Sequence, residues 1–398
     1  MNVRNGAVFD DPFLQRIQDA AAGLSPGGHV FLEQRHDLTL EGIGGEPLRS
    51  RLATSSGWCR AEGANLTFQS DPHPSVSGGA PDLEGARRWT ERLRGLAGPD
   101  ARVTYVATDQ RIGIGRPGVP PAQDRRRGSR IRLEVRLRQG GSAVADAVWR
   151  PGREPDLERF ARETVARAKA RGGAVPAPDG VMPVVLAPGV AGIIVHELVG
   201  HALEEDVVSR GGSWLASRTE EVGPRGLRIV DDPRRGRVPW KIDDTGEAVV
   251  PISLIEEGRV AQRLGAGRLR RSSFPEPPRP RMGCTFVTTG SDRAEDALIG
   301  VTSGLFVRRL EAASVDPRTG RAMFRVVDAD LIRDGAIVEP VQPCLLSMTA
   351  AQALRGFDCI ADDLEFDTCL GTCFKDGQPL AVSVGAPTCR LGLVRVHA

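Results

Sequence analysis

A proline- and glycine-rich segment, RGGAVPAPDGVMP at residues 171–183, divides the chain into two parts of different pattern. Proline and glycine interrupt regular structure, so such a cluster favours a boundary. Strand-like and helix-like patterns are interleaved before it, whereas strand-like patterns dominate after it. The length of 398 residues is sufficient for two or three domains. We therefore predict an α+β protein, with an amino-terminal α+β domain at 1–180 and a strand-rich carboxyl-terminal domain at 181–398.

Hydrophobic spacing predicts the main elements of each part. The predicted helices of the first part are 10–22, 83–98 and 156–173, and its predicted strands are 29–45, 102–109, 130–137 and 142–149. In the second part a strand at 184–188 precedes a short helix, and further strands are predicted within 249–264, 323–341 and 380–396. The stretches LIEEGRV (254–260) and LIRDGAI (331–337) each place an acidic residue and glycine between apolar residues, which predicts two hairpins.

The composition is that of an ordinary globular protein, with 40% hydrophobic and 26% charged residues. A net charge of +2 gives no general reason to expect nucleic acid or an acidic membrane surface as a partner. We expect no transmembrane helix, because apolar runs are short. The first residues lack the apolar run of a secretory signal, which favours a cytoplasmic location. Seven cysteines, an odd number scattered along the chain, do not indicate a disulfide framework.

Several conspicuous residues are interpreted as structural. The basic runs DRRRGSRIR (124–132) and GRLRRSS (267–273) are expected to be solvated loops or strand edges. A further set lacks partners at useful spacing and is expected to serve packing or surface roles: His29, His36, His73, His397, Tyr105 and Cys284.

The segment VHELVGHALEED (195–206) carries the strongest chemical signal. His196 and His201 are five residues apart, so on a regular α-helix they point about 140° away from each other. They could then be ordinary core or surface histidines. A π-bulge, or a break near Gly200, would instead bring both rings to one metal ion. Glu204 and Glu205 lie three and four residues after His201, where a carboxylate could accept its second ring N–H.

A hydrolytic zinc site needs three protein ligands, an open position and a general base. Two histidines and Glu197 leave one ligand to find. By residue type the candidates are the carboxyl-terminal cysteines and the aspartates of CIADDLEFDTCLGTCFKDGQ (359–378). The pair Cys369 and Cys373 has the spacing C-x-x-x-C, which is a weaker metal signal than C-x-x-C. The residues alone do not choose among these candidates.

HELVGHALEED resembles the H-E-x-x-x-H signature of the TldD/PmbA family of metallopeptidases. Further similar segments follow in the same order as in the family: KIDDTGEAVVPISLIEEGRV (241–260), RPRMGCTFVTTG (279–290), VTSGLFV (301–307) and GTCFKDGQPLAVSVGAPT (371–388). The resemblance covers the chain from about residue 183 onward and is slight before residue 180, where the chain is shorter than typical members.

This resemblance implies a zinc ion held by His196, His201 and Cys373, with Glu197 as general base. The cysteine belongs to an element that usually reads C-G-K-x-G-Q, whereas this chain has Phe374 in place of the glycine. The family's PmbA-type (TldE) subunits lack the H-E-x-x-x-H residues, so this chain resembles the catalytic TldD-type subunit. The expected partner is a TldE/PmbA-like subunit or a second copy of the chain, with no nucleic acid or membrane partner.

The implied function is zinc-dependent hydrolysis of amide bonds in peptides or peptide-like metabolites. A natural-product tailoring or self-protection amidase acting on a small amide is a close variant. A non-catalytic regulatory subunit is a second class, although the complete set of site residues argues against it. Redox chemistry at iron or copper is a third class, because two histidines and a cysteine could also hold those metals.

Overall fold

A computed structural model describes residues 11–62, 65–70, 81–138, 140–150, 152–271, 276–366 and 371–398. His73 and Cys369 lie outside these residues. None of the helices within the described ranges has the length and apolar character needed to cross a bilayer.

The amino-terminal half is an antiparallel sheet with three helices. The helices are α1 (Pro12–Ala22), α2 (Leu83–Ala97) and α3 (Leu157–Ala170). The strands are β1 (His29–Ile43), β2 (Arg49–Glu62), β3 (Asn65–Ser70), β4 (Ala101–Arg116), β5 (Val119–Arg136) and β6 (Ser142–Trp149). They form a six-stranded sheet in the order β3-β2-β1-β4-β5-β6. An aspartate caps each helix start by accepting backbone N–H groups, through Asp11, Asp82 and Asp156.

The predicted elements of this half are confirmed, with two differences. Strands β4 and β5 are longer than predicted, because their polar and charged residues alternate with buried ones over the whole ladder. Strands β2 and β3 were not predicted. Strand β2 is polar, and its first residues lie on the exposed part of the sheet, so it lacks a strong apolar alternation.

The carboxyl-terminal half is rich in strands, as expected. Its helices are α4 (Ala191–Val195), α5 (Glu205–Ser209) and α6 (Ala350–Arg355). Its first strands are β7 (Gly180–Leu186), β8 (Ile229–Asp231), β9 (Ile252–Glu256), β10 (Arg259–Val260), β11 (Leu269–Arg270), β12 (Arg279–Pro280), β13 (Cys284–Val287), β14 (Ser303–Asp316) and β15 (Arg321–Arg333). The remaining strands are β16 (Ala336–Val341), β17 (Cys344–Thr349), β18 (Phe357–Ile360), β19 (Glu365–Phe366), β20 (Thr372–Lys375), β21 (Gln378–Ala381), β22 (Ser383–Ala386) and β23 (Cys389–His397).

Two larger sheets surround the main core of this half. One has six strands in the order β10-β9-β8-β13-β22-β19. The other has seven strands, in which the pairings β14-β7-β23-β17-β15 close into a ring because β14 also pairs with β15. Helix α4 packs against β13 and β22 and lies in the same core cluster as the ring. The buried helix α4 leads directly into the H-E-x-x-x-H segment.

Three hairpins with two-residue turns organise the described part of this half. The two predicted ones are confirmed, joining β9 to β10 and β15 to β16. At each turn an acidic residue and a glycine have positive φ, as at Glu257 (48°) and Gly258 (70°). Asp376 (50°) and Gly377 (78°) form the same kind of turn between β20 and β21, a hairpin that we did not predict. Two successive positive φ values suit a two-residue hairpin loop.

Buried arginine–aspartate pairs join the two halves. Each pair takes one residue from each half, with nitrogen–oxygen distances of 2.7 Å for Arg126–Asp244, 2.7 Å for Arg171–Asp328 and 2.6 Å for Arg309–Asp146. Burying charges is costly unless they are paired in this way. The division of the chain at residue 180 stays a prediction.

The expectation that the basic runs are solvated was wrong for several of their arginines. Arg126 is fully buried in β5, and Arg268, Arg270 and Arg271 of the second run are at most 4% exposed. Their guanidinium groups contact aspartates and aromatic rings; that of Arg270 lies 4.7 Å from the centre of the Trp240 ring. Burial, with the nearby charge of Arg126, lowers the pKa of Arg270 to about 9. A sequence pattern does not reveal that acidic partners lie far along the chain.

Candidate metal centre

The two histidines lie in a helix that changes its winding. After α4 the backbone forms a π-helical turn at His196–Gly200 and a 3₁₀ turn at His201–Leu203. The N–H of His201 donates to the carbonyl of His196, five residues earlier. The wider turn brings the two rings together, with centroids 5.1 Å apart. The predicted distortion of the helix is therefore confirmed.

Close packing accompanies the wide turn. A β-carbon at Gly200 would lie 1.8 Å from Sδ of Met282, so only glycine fits against this side chain. The indole N–H of Trp214 donates to the carbonyl of Leu198 at 2.9 Å, providing a partner for a carbonyl within the turn. The absence of a side chain at Gly200 thus allows the close approach of Met282.

Cys373 approaches the histidines from β20. Its Sγ lies 3.3 Å from Nε2 of His201, and the potential ligand atoms of His196, His201 and Cys373 all lie within 4.8 Å of one another. A tetrahedral zinc ion bonded to nitrogen and sulfur at about 2.0–2.3 Å has ligand atoms roughly 3.3–3.7 Å apart. The three side chains could reach such an arrangement by small rotations.

His196 provides an independent indication that a group belongs here. Its side chain is fully buried, and neither ring nitrogen has a hydrogen-bond partner in the described part of the chain. Buried polar atoms are seldom left without a partner, because desolvation without a new bond is costly. A soft cation that accepts nitrogen and sulfur ligands would satisfy one of these two ring nitrogens, so the residues fit a metal.

The other third-ligand candidates within the described residues lie elsewhere. Sγ of Cys389 donates to a backbone carbonyl at 3.3 Å, and Asp363 accepts from Thr388 at 2.7 Å. Cys359 is near Asp292, and burial raises the pKa of its thiol to about 12. The structure thus brings Cys373, and not these three residues, to the histidines.

Glu197 lies beside the three residues, with Oε2 3.9 Å from Nε2 of His201. Its side chain is only 16% exposed. Burial raises the pKa of Glu197; the charge of Glu204 adds to this effect and that of His201 opposes it. A carboxylate whose pKa is shifted toward neutrality is suited to accept and return a proton.

The two imidazoles have opposite electrostatic surroundings. Burial, with smaller contributions from His201 and Arg281, holds the pKa of His196 well below its usual value. Burial also disfavours a charged His201, but Glu204 and Cys373 outweigh it and raise the pKa of His201 well above its usual value. Nδ1 of His201 lies 3.0 Å from Oε2 of Glu204, as the spacing of these residues predicted.

Lys375 is a site residue that sequence reasoning missed. It follows Cys373 by two residues on β20, so both side chains lie on one face of the strand. Its Nζ lies 3.0 Å from Oε2 of Glu204 and 2.6 Å from Oδ1 of Asp206. Because lysine occurs at only three positions in this arginine-rich chain, its presence beside Cys373 was a signal that could have been used.

Residues 179–398 match the model of the PmbA/TldA metallopeptidase C-terminal domain. The chain belongs to the TldD/PmbA family. This match extends over more than half of the chain and contains all four residues identified from the motifs.

Individual relatives of this TldD/PmbA chain agree with that assignment. A protein named metalloprotease TldD homolog from Haemophilus influenzae is 33% identical over 254 residues, which is 60% of this chain and 52% of the relative. A zinc metalloprotease TldD homolog from Saccharolobus solfataricus is 26% identical over 232 residues, 54% of this chain and 52% of the relative. The chain thus spans about half the length of the curated relatives it matches.

The fold is also that of the family. The crystal structure of TldE from Thermococcus kodakarensis superposes with a TM-score of 0.74, covering 97% of this chain and 98% of that chain at 13% identity. The shared fold therefore extends into the described part of the amino-terminal half, where the sequence resemblance was slight.

Proposed function

We propose that this TldD/PmbA chain is a catalytic, TldD-type subunit that hydrolyses amide bonds in peptides or peptide-like metabolites with the aid of zinc. The observation that supports the proposal best is that His196, His201 and Cys373 lie together, and that the buried ring of His196 has no hydrogen-bond partner among the described residues. Glu197 beside them supplies the remaining group that hydrolysis requires.

Two imidazoles and a thiolate are ligands that zinc accepts readily, and three protein ligands leave a fourth position open. The name of the Saccharolobus solfataricus relative is consistent with this metal. When bound, zinc supplies Lewis acidity, which makes water a better nucleophile at neutral pH and polarises a carbonyl.

The chain's own residues would perform the proton transfers. Glu197 takes a proton from the attacking water, and its raised pKa allows it to return that proton to the leaving nitrogen. Burial holds the pKa of His196 low and so favours the neutral ring, in which one nitrogen keeps the lone pair needed for metal binding.

Substrate, partner and location are further parts of the proposal. The same residues would serve a tailoring or self-protection amidase, since the chemistry at the amide is identical. We propose a TldE/PmbA-like subunit or a second copy of the chain as partner, and the cytoplasm as location. The TldE structure supports the choice of partner only through its shared fold.

The test is metal content per chain in protein purified without chelator, followed by hydrolysis of a peptide mixture monitored by mass spectrometry. The unaltered chain should hold about one zinc. Glu197→Gln should keep the metal and lose turnover, whereas Cys373→Ala should lose both. Cys344→Ala is the matched control, because Cys344 is also a buried cysteine but is not in the cluster of potential metal ligands found among the described residues. Burial raises the pKa of its thiol to about 11.

Each outcome separates the candidate functions. A chain without metal, also when co-expressed with a TldE-like subunit, would contradict hydrolysis and favour the regulatory subunit. Iron or copper in place of zinc would favour the redox alternative. Equal metal loss in Cys373→Ala and Cys344→Ala would contradict the role of Cys373 as ligand.

A further inference from the structure

We propose that Glu204 and Lys375 are positioning residues, which hold His201 and Cys373 where both can bind the same metal ion. The inference rests on the proposed metal site, and it adds two residues that the ligand set and Glu197 do not include. Neither side chain is placed to touch a substrate, because Glu204 is fully buried and Lys375 is only 8% exposed.

Glu204 orients the ring of His201. Its Oε2 lies 3.0 Å from Nδ1, so Nδ1 carries the proton and Nε2 is left as the ligand atom. Nε2 is the nitrogen that lies 3.3 Å from Sγ of Cys373. A carboxylate bonded to the second nitrogen of a ligating imidazole fixes its tautomer and increases its basicity.

Lys375 links the β20–β21 hairpin, which carries Cys373, to the helical segment that carries His196 and His201. Strands β20 and β21 pair only with each other among the described strands, so no neighbouring sheet fixes the position of Cys373. Ionic and polar contacts do so instead. Nζ of Lys375 reaches Glu204 at 3.0 Å, Asp206 at 2.6 Å and the carbonyl of Pro280 at 3.1 Å.

Arg281 completes the attachment of the hairpin backbone. Its guanidinium donates to the carbonyl of Cys373 at 3.1 Å and to that of Gln378 at 3.2 Å. Arg281 therefore holds both strands of the hairpin. Lys375 attaches the face of β20 that carries Cys373 to the helical segment with the two histidines.

One oxygen atom connects the two ligands. Oε2 of Glu204 contacts both Nδ1 of His201 and Nζ of Lys375. A carboxylate fully removed from water requires a compensating charge, and Lys375 supplies it. A displacement of the hairpin would therefore also move the His201 ring. Removal of Glu204 or of Lys375 should displace the ligand atoms.

The experiment compares zinc affinity, measured by chelator competition, with thermal unfolding of the metal-free chain. Glu204→Gln and Lys375→Met should each weaken zinc binding by roughly ten- to a hundredfold. Their cobalt-substituted forms should show a weaker thiolate-to-cobalt absorption band. Arg279→Gln is the control: it removes the pair between Arg279 of β12 and Asp376 in the turn of the β20–β21 hairpin, and zinc affinity should not change.

A double variant, Glu204→Gln with Lys375→Met, separates positioning from stability. It removes one buried charge of each sign, so the metal-free chain should regain stability lost in Lys375→Met. Zinc affinity should stay low, because Nδ1 of His201 has lost its carboxylate partner.

If the double variant recovers zinc affinity as well as stability, the positioning roles are overturned. They are also overturned if the single variants bind zinc as tightly as the unaltered chain. Lack of metal in the unaltered chain would overturn the proposed function as well. If Lys375→Met does not fold, Glu204→Gln and the double variant still decide the question.

Discussion

Replacing Gly200 with alanine tests whether the wide helical turn depends on close packing. The new β-carbon would lie 1.8 Å from Sδ and 3.0 Å from Cε of Met282, so the methionine must move. Overpacking of this kind costs about 1–3 kcal/mol, and an overlap at a central side-chain atom favours the upper end. Alanine stabilises a helix over glycine by about 1 kcal/mol. We therefore expect a net loss of about 2 kcal/mol in the free energy of unfolding.

The assay is urea unfolding of the metal-free chain, in a cycle with Met282→Ala. The single change Met282→Ala should cost about 2–5 kcal/mol because it leaves a cavity. In that background Gly200→Ala no longer meets a side chain, so it should be neutral or stabilising by up to about 1 kcal/mol. Additive effects within about 0.5 kcal/mol, or a Gly200→Ala variant as stable as the unaltered chain, would refute the packing argument.

Three further predictions concern other parts of the chain. Burial of the Asp146 side chain acts to raise its pKa, but the charges of Arg309 and neighbouring arginines outweigh burial and lower the pKa below the ordinary 3.8. The pairing of Asp146 therefore stabilises the fold at neutral pH, and this stabilisation is lost as the pH falls below 3.8. Acid unfolding followed by circular dichroism should show a smaller loss of stability in Asp146→Asn as the pH falls from about 4 to about 2, and an unchanged profile would contradict the assignment. Trp214→Phe leaves the carbonyl of Leu198 without its 2.9 Å partner and should cost about 1–3 kcal/mol in urea unfolding, whereas no loss would show that another donor replaces the indole. Phe374 is 69% exposed, so Phe374→Ala should change stability by less than about 0.5 kcal/mol and leave metal content intact; a large change in either would show that the side chain has an unrecognised contact.

Sequence reasoning succeeded at the site where the signal was local. The five-residue spacing of His196 and His201 is incompatible with a regular helix that binds one ion, so the π-turn could be predicted. Helical spacing gave Glu204 and Glu205 as partners for His201, and the structure places Glu204 against the ring. Cys373 lies 172 residues beyond His201, and only the family resemblance singled it out among the cysteines.

The residues that were misinterpreted or missed share one physical cause, which is that their charged partners are distant in sequence. The arginines of 124–132 and 267–273 look solvated because nothing nearby in sequence neutralises them, yet Arg126 pairs with Asp244, 118 residues away. Lys375 was missed for the same reason, since its partners Glu204 and Asp206 precede it by about 170 residues. Periodicity reveals which face of an element is apolar, but not which distant charge will meet a buried one.

The arginine–aspartate pairs between the halves have a consequence for how such a chain can diverge. Loss of one member leaves the other as an uncompensated buried charge, which typically costs about 3–5 kcal/mol, whereas exchange of both for apolar residues is often tolerated. Asp328, for example, accepts from Arg167 of α3 and from Arg171, which directly follows that helix. Substitutions at this boundary should therefore occur as matched changes in the two halves, so that the halves evolve together even though each has its own sheet.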